Sequence, residues 1–77
     1  PNTVVHHEVL IEDYCILGSN VTLAGGVKIQ ENCFIGSGSS IIQGTSIGKG
    51  SLIGMASNVL KDIPANSKVV GNPARLL

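Results

Sequence analysis

The sequence is poor in almost everything a compact core normally uses for bulk. Among 77 residues there is no Trp, one Tyr (Tyr14), one Phe (Phe34) and one Met (Met55). Aromatic side chains make the largest single burials in most cores, so a core here must be assembled from Ile, Val and Leu. Charge is scarce too, at 13% of residues, and five basic side chains balance five acidic ones. A neutral chain lacks the basic footprint of a general nucleic-acid binder. No stretch of about 18 consecutive apolar residues is present, so no membrane-spanning helix is written here. The aliphatic content is too high for a disordered tail.

What charge there is lies unevenly. Lys28, Lys49, Lys61, Lys68 and Arg75 all follow residue 27, whereas Glu8, Glu12, Asp13 and Glu31 fall within the first 31. A basic C-terminal end suits a small polyanion. The chain starts at Pro1 without an initiator Met and reads as the C-terminal part of a longer protein, or as a processed product.

What the sequence does contain is a period of six. Cut from Val5, it reads VHHEVL, IEDYCI, LGSNVT, LAGGVK, IQENCF, IGSGSS, IIQGTS, IGKGSL, IGMASN, VLKDIP. The first place is aliphatic in all ten hexads. The fifth is small or β-branched, running from Val9 and Cys15 to Ile63, and the fourth is Gly or Asn six times. This pattern fits neither a 3.6-residue helix nor a simple alternating strand. It fits a flat-sided solenoid in which the first and fifth places point inward. The fourth place turns the corner at positive φ, a conformation that Gly and Asn tolerate. Three hexads make a turn of 18 residues, and turns stack at about 4.8 Å. On this reading the repeats cover residues 5–64, Pro64 ends the ladder, and residues 65–77 form a tail with a last strand near Lys68–Val70 and a Gly-Asn-Pro turn. The whole is one all-β domain, 1–77, of a little over three turns.

The pattern resembles the hexapeptide-repeat family, whose fold is a left-handed parallel β-helix. That resemblance supplies the hand, which periodicity alone does not and which runs against the usual right-handed crossover. It also implies a homotrimer, consistent with the need of a short solenoid for more core than it can build alone.

An 18-residue turn turns rows into columns. His7 stands beside Gly25, then Gln43, then Lys61; Ser19, Ser37, Met55 and Pro73 form another column. His7 is a third-place residue at an outward corner, next to the bare Gly25-Gly26 bend. The segment "HHEVLIED…LAGGVKI" is similar to the stretch around the catalytic histidine of the sugar acetyltransferases of this family, the bacillosamine N-acetyltransferase and sialic acid O-acetyltransferase group. The ending "VVGNPARLL" is similar to that of the broader acetyltransferases. The resemblance implies acetyl transfer from acetyl-CoA to an amino or hydroxyl group of a nucleotide-linked or bacterial surface sugar.

That chemistry needs a base, and histidine as a residue type titrates near working pH. It also needs a carboxylate to orient the imidazole, and donors for the oxyanion of the tetrahedral intermediate. His7, Glu8 and the Gly25 N–H match these roles. The resemblance further implies acetyl-CoA contacts at Ile16, Ser37 and Met55, with Lys61 and Arg75, and also Lys68, available to the CoA phosphates. His6 reads as a surface residue or an acceptor contact.

Other readings are weaker. A zinc site of the carbonic anhydrase kind needs three histidines drawn from two subunits, and a third is missing. Cys15 and Cys33, 18 apart, read as reduced, inward-facing core residues; nothing suggests an oxidising compartment, so a cytoplasmic location is expected and the Asn20-Val21-Thr22 sequon is taken as chance. Thr3, Thr22 and Thr45 form no flat ice-binding array. The serious alternative is a non-catalytic structural or trimerisation β-helix.

Overall fold

The computed structural model of the chain describes residues 3–77. Twelve short strands wind into a parallel β-solenoid of about four turns, and among the described residues there is no helix. Three faces form a triangular prism. The first face is built from β1 (Val4–Val5), β4 (Thr22–Leu23), β7 (Ser40–Ile41) and β10 (Asn58–Val59). The second holds β2 (Leu10–Ile11), β5 (Lys28–Ile29) and β8 (Ser46–Ile47). The third holds β3 (Ile16–Leu17), β6 (Phe34–Ile35), β9 (Leu52–Ile53) and β11 (Lys68–Gly71), edged by β12 (Ala74–Leu76). Strand pairs keep a register of 18 residues through most of the coil, as in Leu23↔Ile41 and Ile29↔Ile47.

Each hexad behaves as its places dictate. The first-place residues Leu23, Ile29, Ile35, Ile41, Ile47, Ile53 and Val59 are buried in one continuous core. Burial of an aliphatic side chain of this size is worth about 1.5–3 kcal/mol, and it recurs at every strand. The fifth place is small because it lies close to the bend. Where it is polar, its hydroxyl is satisfied: Ser39 Oγ donates to the Gly54 carbonyl at 2.9 Å and Ser51 Oγ to that of Pro64 at 3.0 Å.

The fourth place adopts positive φ in nine of the ten hexads, and the residue type does not decide it. Glu8, Tyr14 and Ala56 take φ of 61°, 63° and 56° beside the expected Asn and Gly. From the second turn on, backbone bonding accompanies this conformation. The fourth-place N–H reaches back one turn, as when Gly26 donates to the His7 carbonyl at 3.1 Å and Gly44 to that of Gly25 at 3.0 Å. Strand N–H groups donate the other way, as from Glu12 to Ile29 at 2.9 Å.

The ladder does not end at Pro64, and its beat is broken once. Ile63 bridges Ile47, and Lys68 and Val69 pair with Leu52 and Ile53, a register of 16. Two residues are missing from the corner at 60–62. Ile63 is therefore a first-place residue and not the fifth-place one that counting in sixes makes it; Asn66, at φ 59°, turns the following corner. Elsewhere the sixth-place N–H finds a carbonyl of the next turn. The Ser46 N–H makes no such backbone bond, and Asp62 Oδ1 accepts it instead at 2.9 Å. The tail has the expected strand and Gly-Asn-Pro turn. It then doubles back, with β12 pairing antiparallel to β11 so that Ala74 packs on the core. This hairpin covers the last turn, which is why four layers are complete where the count of hexads gives little more than three.

Candidate functional site

Three corners join the faces. The first corner lies between the first and second faces and carries His7-Glu8, Gly25-Gly26, Gln43-Gly44 and residues 60–62. The second lies between the second and third faces and carries Asp13-Tyr14, Glu31-Asn32, Lys49-Gly50 and residues 65–66. The third, between the third and first faces, carries Ser19-Asn20, Ser37-Gly38 and Met55-Ala56.

At the first corner the structure brings His7, Glu8 and Gly25 together as their columns require. The His7 carbonyl accepts the Gly26 N–H, so the two bends lie one directly over the other. A methyl group placed on Gly25 would meet only the His7 carbonyl oxygen, at 3.5 Å, and one on Gly44 would touch nothing within 4 Å. The corner is thus a notch floored by glycine backbone, with exposed His7 and Glu8 on one side and Gln43 on the other.

The third-place N–H is the corner group that the backbone ladder does not use. Side chains take it at Ser19, which donates to Ser37 Oγ at 3.1 Å, and at Lys49, which donates to Gln30 Oε1 at 3.0 Å. Among the described residues the Gly25 N–H has no acceptor, and no side chain of its own residue shields it. A donor of this kind, beside an imidazole in an open notch, can meet a developing oxyanion. No hydrogen bond joins the His7 ring to the Glu8 carboxylate among the described residues. Glu8 holds its place through the positive-φ bend, where its column neighbours Gly26 and Gly44 are glycines.

The acetyl-CoA residues expected from the resemblance lie elsewhere. Ser37 and Met55 stack at the third corner, where the Ala56 N–H donates to the Ser37 carbonyl at 2.8 Å. Ile16 lies on the third face, just before that corner. Position 71, not Pro73, follows Met55 in the column, because of the lost pair of residues. Within one chain the first and third corners are opposite edges of the first face, so His7 and Met55 do not share a cleft.

Lys61 and Arg75 do come together, in a way the sequence concealed. With Val59, Leu60, Ile63, Pro73 and Ala74 they line a cleft of about 240 Å³ at the end of the coil. The shortened corner supplies Lys61 and the returning strand β12 supplies Arg75. The only sequence signal for this cleft was the Gly-Asn-Pro turn, which announces a reversal without saying where it lands. Lys68, exposed on β11, lies outside it. Among the described residues no three His, Cys, Asp or Glu side chains gather closely enough to hold a metal ion.

The family described as "Hexapeptide repeat of succinyl-transferase" matches residues 26–59. No curated protein sequence matches the chain significantly. Solved structures do. WeeI from Acinetobacter baumannii AYE is 37% identical over 96% of this chain and 37% of its own, with a TM-score of 0.89. A galactoside acetyltransferase in complex with coenzyme A is 30% identical over 97% of this chain and 48% of its own, with a TM-score of 0.92. PerB from Caulobacter crescentus, in complex with CoA and GDP-perosamine, is 25% identical over 100% of this chain and 55% of its own, with a TM-score of 0.81. The chain therefore spans between about a third and about half the length of these proteins.

Proposed function

For a chain that belongs to the hexapeptide-repeat family of left-handed parallel β-helices, we propose the activity of an acyl-CoA-dependent transferase, moving an acetyl group from acetyl-CoA to an amino or hydroxyl group of a nucleotide-linked or bacterial surface sugar. The observation that carries this reading is the first corner. There an exposed histidine stands one layer from a glycine bend whose free N–H has no acceptor among the described residues. The similar galactoside acetyltransferase is in complex with coenzyme A, and PerB is in complex with CoA and GDP-perosamine.

In this mechanism the His7 imidazole takes the proton from the acceptor's nucleophile as that nucleophile attacks the thioester carbonyl. General-base help of this kind is worth about 10²–10⁴-fold. The Gly25 N–H meets the oxyanion, a contact whose loss typically costs about 10²–10³-fold. Glu8 steadies the imidazolium, and His7 then returns the proton to the departing thiolate. In a homotrimer, Ile16, Ser37 and Met55 of a neighbouring copy line the path of the pantetheine arm to His7, while Lys61 and Arg75 receive phosphate in the cleft at the end of the coil. We place the protein in the cytoplasm, where acetyl-CoA and sugar nucleotides are made.

Two measurements test this. Saturating CoA should raise the melting temperature, since a ligand at 100 times its Kd adds about 2.7 kcal/mol to folding; an inert structural β-helix would show no shift. With a panel of amino and hydroxyl sugars, His7→Ala should slow CoA release at least about 100-fold while the CoA-induced shift persists. An unchanged rate would remove His7 from the chemistry.

A further inference from the structure

At the second corner the fifth places form a column of small side chains: Cys15, Cys33, Ser51 and Ser67. The first three point the same way. Cys15 Sγ donates to the Gln30 carbonyl at 3.1 Å, Cys33 Sγ to that of Gly48 at 3.1 Å and Ser51 Oγ to that of Pro64 at 3.0 Å. One contact repeats in three successive layers and stacks each side chain on the next. The Ile16 N–H donates to the Cys33 carbonyl at 2.9 Å, so the two cysteines flank one rung of the ladder. Adjacent strands lie about 4.8 Å apart, inside the Cα separations of about 4.4–6.8 Å that a disulfide spans. Both thiols are free.

The two differ in what can reach them. Cys15 belongs to the first turn and is half-buried, whereas Cys33, with a layer on either side, is 2% exposed. Burial first, and the neighbouring Cys15 thiol after it, raise the Cys33 thiol above its ordinary value. Cys33 is therefore a poor target for a reagent in solution. An accessible thiol stacked on a buried one is the arrangement of an attacking and a resolving cysteine.

We propose that Cys15 and Cys33 are a redox pair: a hydroperoxide oxidises Cys15, and Cys33 closes a disulfide that ties the first turn of the coil to the second. The Cys15 thiolate attacks the O–O bond. Its sulfur takes one oxygen as a sulfenic acid, and the other oxygen leaves with a proton as water or an alcohol. The Cys33 sulfur then attacks the Cys15 sulfur. The S–S bond forms, the S–O bond breaks, and the departing hydroxide takes the Cys33 proton as water. The two thiols give up two electrons, and the hydroperoxide receives them. The bond links residues 18 apart, joining the turn that carries His7 and Glu8 to the turn that carries Gly25. It restricts the unfolded chain and holds down a turn whose own inward residues, Val5 and Ile11, are exposed.

The reduced chain, treated with hydrogen peroxide, should lose two hydrogens by mass spectrometry and regain them with dithiothreitol. Tryptic cleavage after Lys28 should leave Cys15 and Cys33 in one linked pair of peptides. The melting temperature of the oxidised chain should rise by roughly 5 °C or more. Amide exchange at Ile16 and Gly18, which donate to the second turn, should slow at least about tenfold. Cys33→Ser puts into the column the residue that already fills it at Ser51, so it should fold. Its Cys15 should stop at the sulfenic acid and take up dimedone, which the wild type should not, and Cys15→Ser should leave Cys33 unmodified. A mass that peroxide leaves unchanged, a wild type that takes up dimedone as readily as Cys33→Ser, or a bond joining the Cys15 residues of two copies overturns the proposal. So does a linked chain that melts and exchanges like the reduced one, since the bond then ties nothing.

Discussion

The first turn of the coil and the turns above it are written in the same residues and live in different surroundings. Val5 and Ile11 occupy the same place in the repeat as Leu23 and Ile29, yet they are 50% and 37% exposed where the latter two are fully buried. Nothing in the side chains differs enough to explain it. A first-place residue is buried by the layers on both sides of it, and within residues 3–77 the first turn is packed against a layer on one side only. At the other end the β11–β12 hairpin supplies the second side, and Val69 is buried. Burial in a solenoid is therefore a property of neighbours, as expected when each unit contacts only the adjacent ones.

The largest effect that would break this comparison is in the core. Ile35→Ala, between two complete layers, should cost about 2–5 kcal/mol, while Ile11→Ala should cost well under half as much, because water already reaches its site. Denaturant midpoints compare them directly, and equal losses would show that the first turn is as well packed as the second. A smaller effect sharpens the same contrast at one corner. Gly26→Ala should destabilise by about 1 kcal/mol, since it puts a Cβ on a positive-φ residue. Glu8→Gly, one layer away, relieves the same strain and should stabilise by about as much. If Glu8 also serves His7, that gain in melting temperature comes with a slower acetyl transfer; a faster or unchanged rate would leave Glu8 without a role there.

The smallest effect concerns the two cysteines. Burial, its largest cause, pushes the Cys33 thiol above its ordinary value of 9.0. The folded chain then favours the neutral thiol, so this group's contribution to stability is complete below pH 9 and is lost as pH rises through the folded value. Urea unfolding at pH 8 and at about pH 10.5 should show a decline with pH that Cys33→Ala reduces. Cys15, half-buried in the first turn, should react first with a thiol reagent. The order of labelling, read by mass spectrometry, checks it.

Much of this architecture was legible in spacing. Ten aliphatic residues six apart all face inward in a flat-sided coil of 18-residue turns, whatever its hand, and the columns that follow put His7 beside Gly25. The positive-φ corners at Glu8, Tyr14 and Ala56 were less legible, because a sequence reveals such a corner only where Gly or Asn marks it. The lost pair of residues at 60–62 was hidden, since Ile63 fits the fifth place in a count of six nearly as well as the first. The cleft around Lys61 and Arg75 depends on that loss and on the returning hairpin, so it could not be placed either.

The sequence by itself determined the period, the inward residues and the stacking of the first corner, because these follow from a local geometry repeated without variation. The tertiary structure alone decided where the register slips and how the far end is closed. Those outcomes turn on which backbone groups find partners across layers, and a carboxylate such as Asp62 can substitute for a missing carbonyl without leaving a periodic trace.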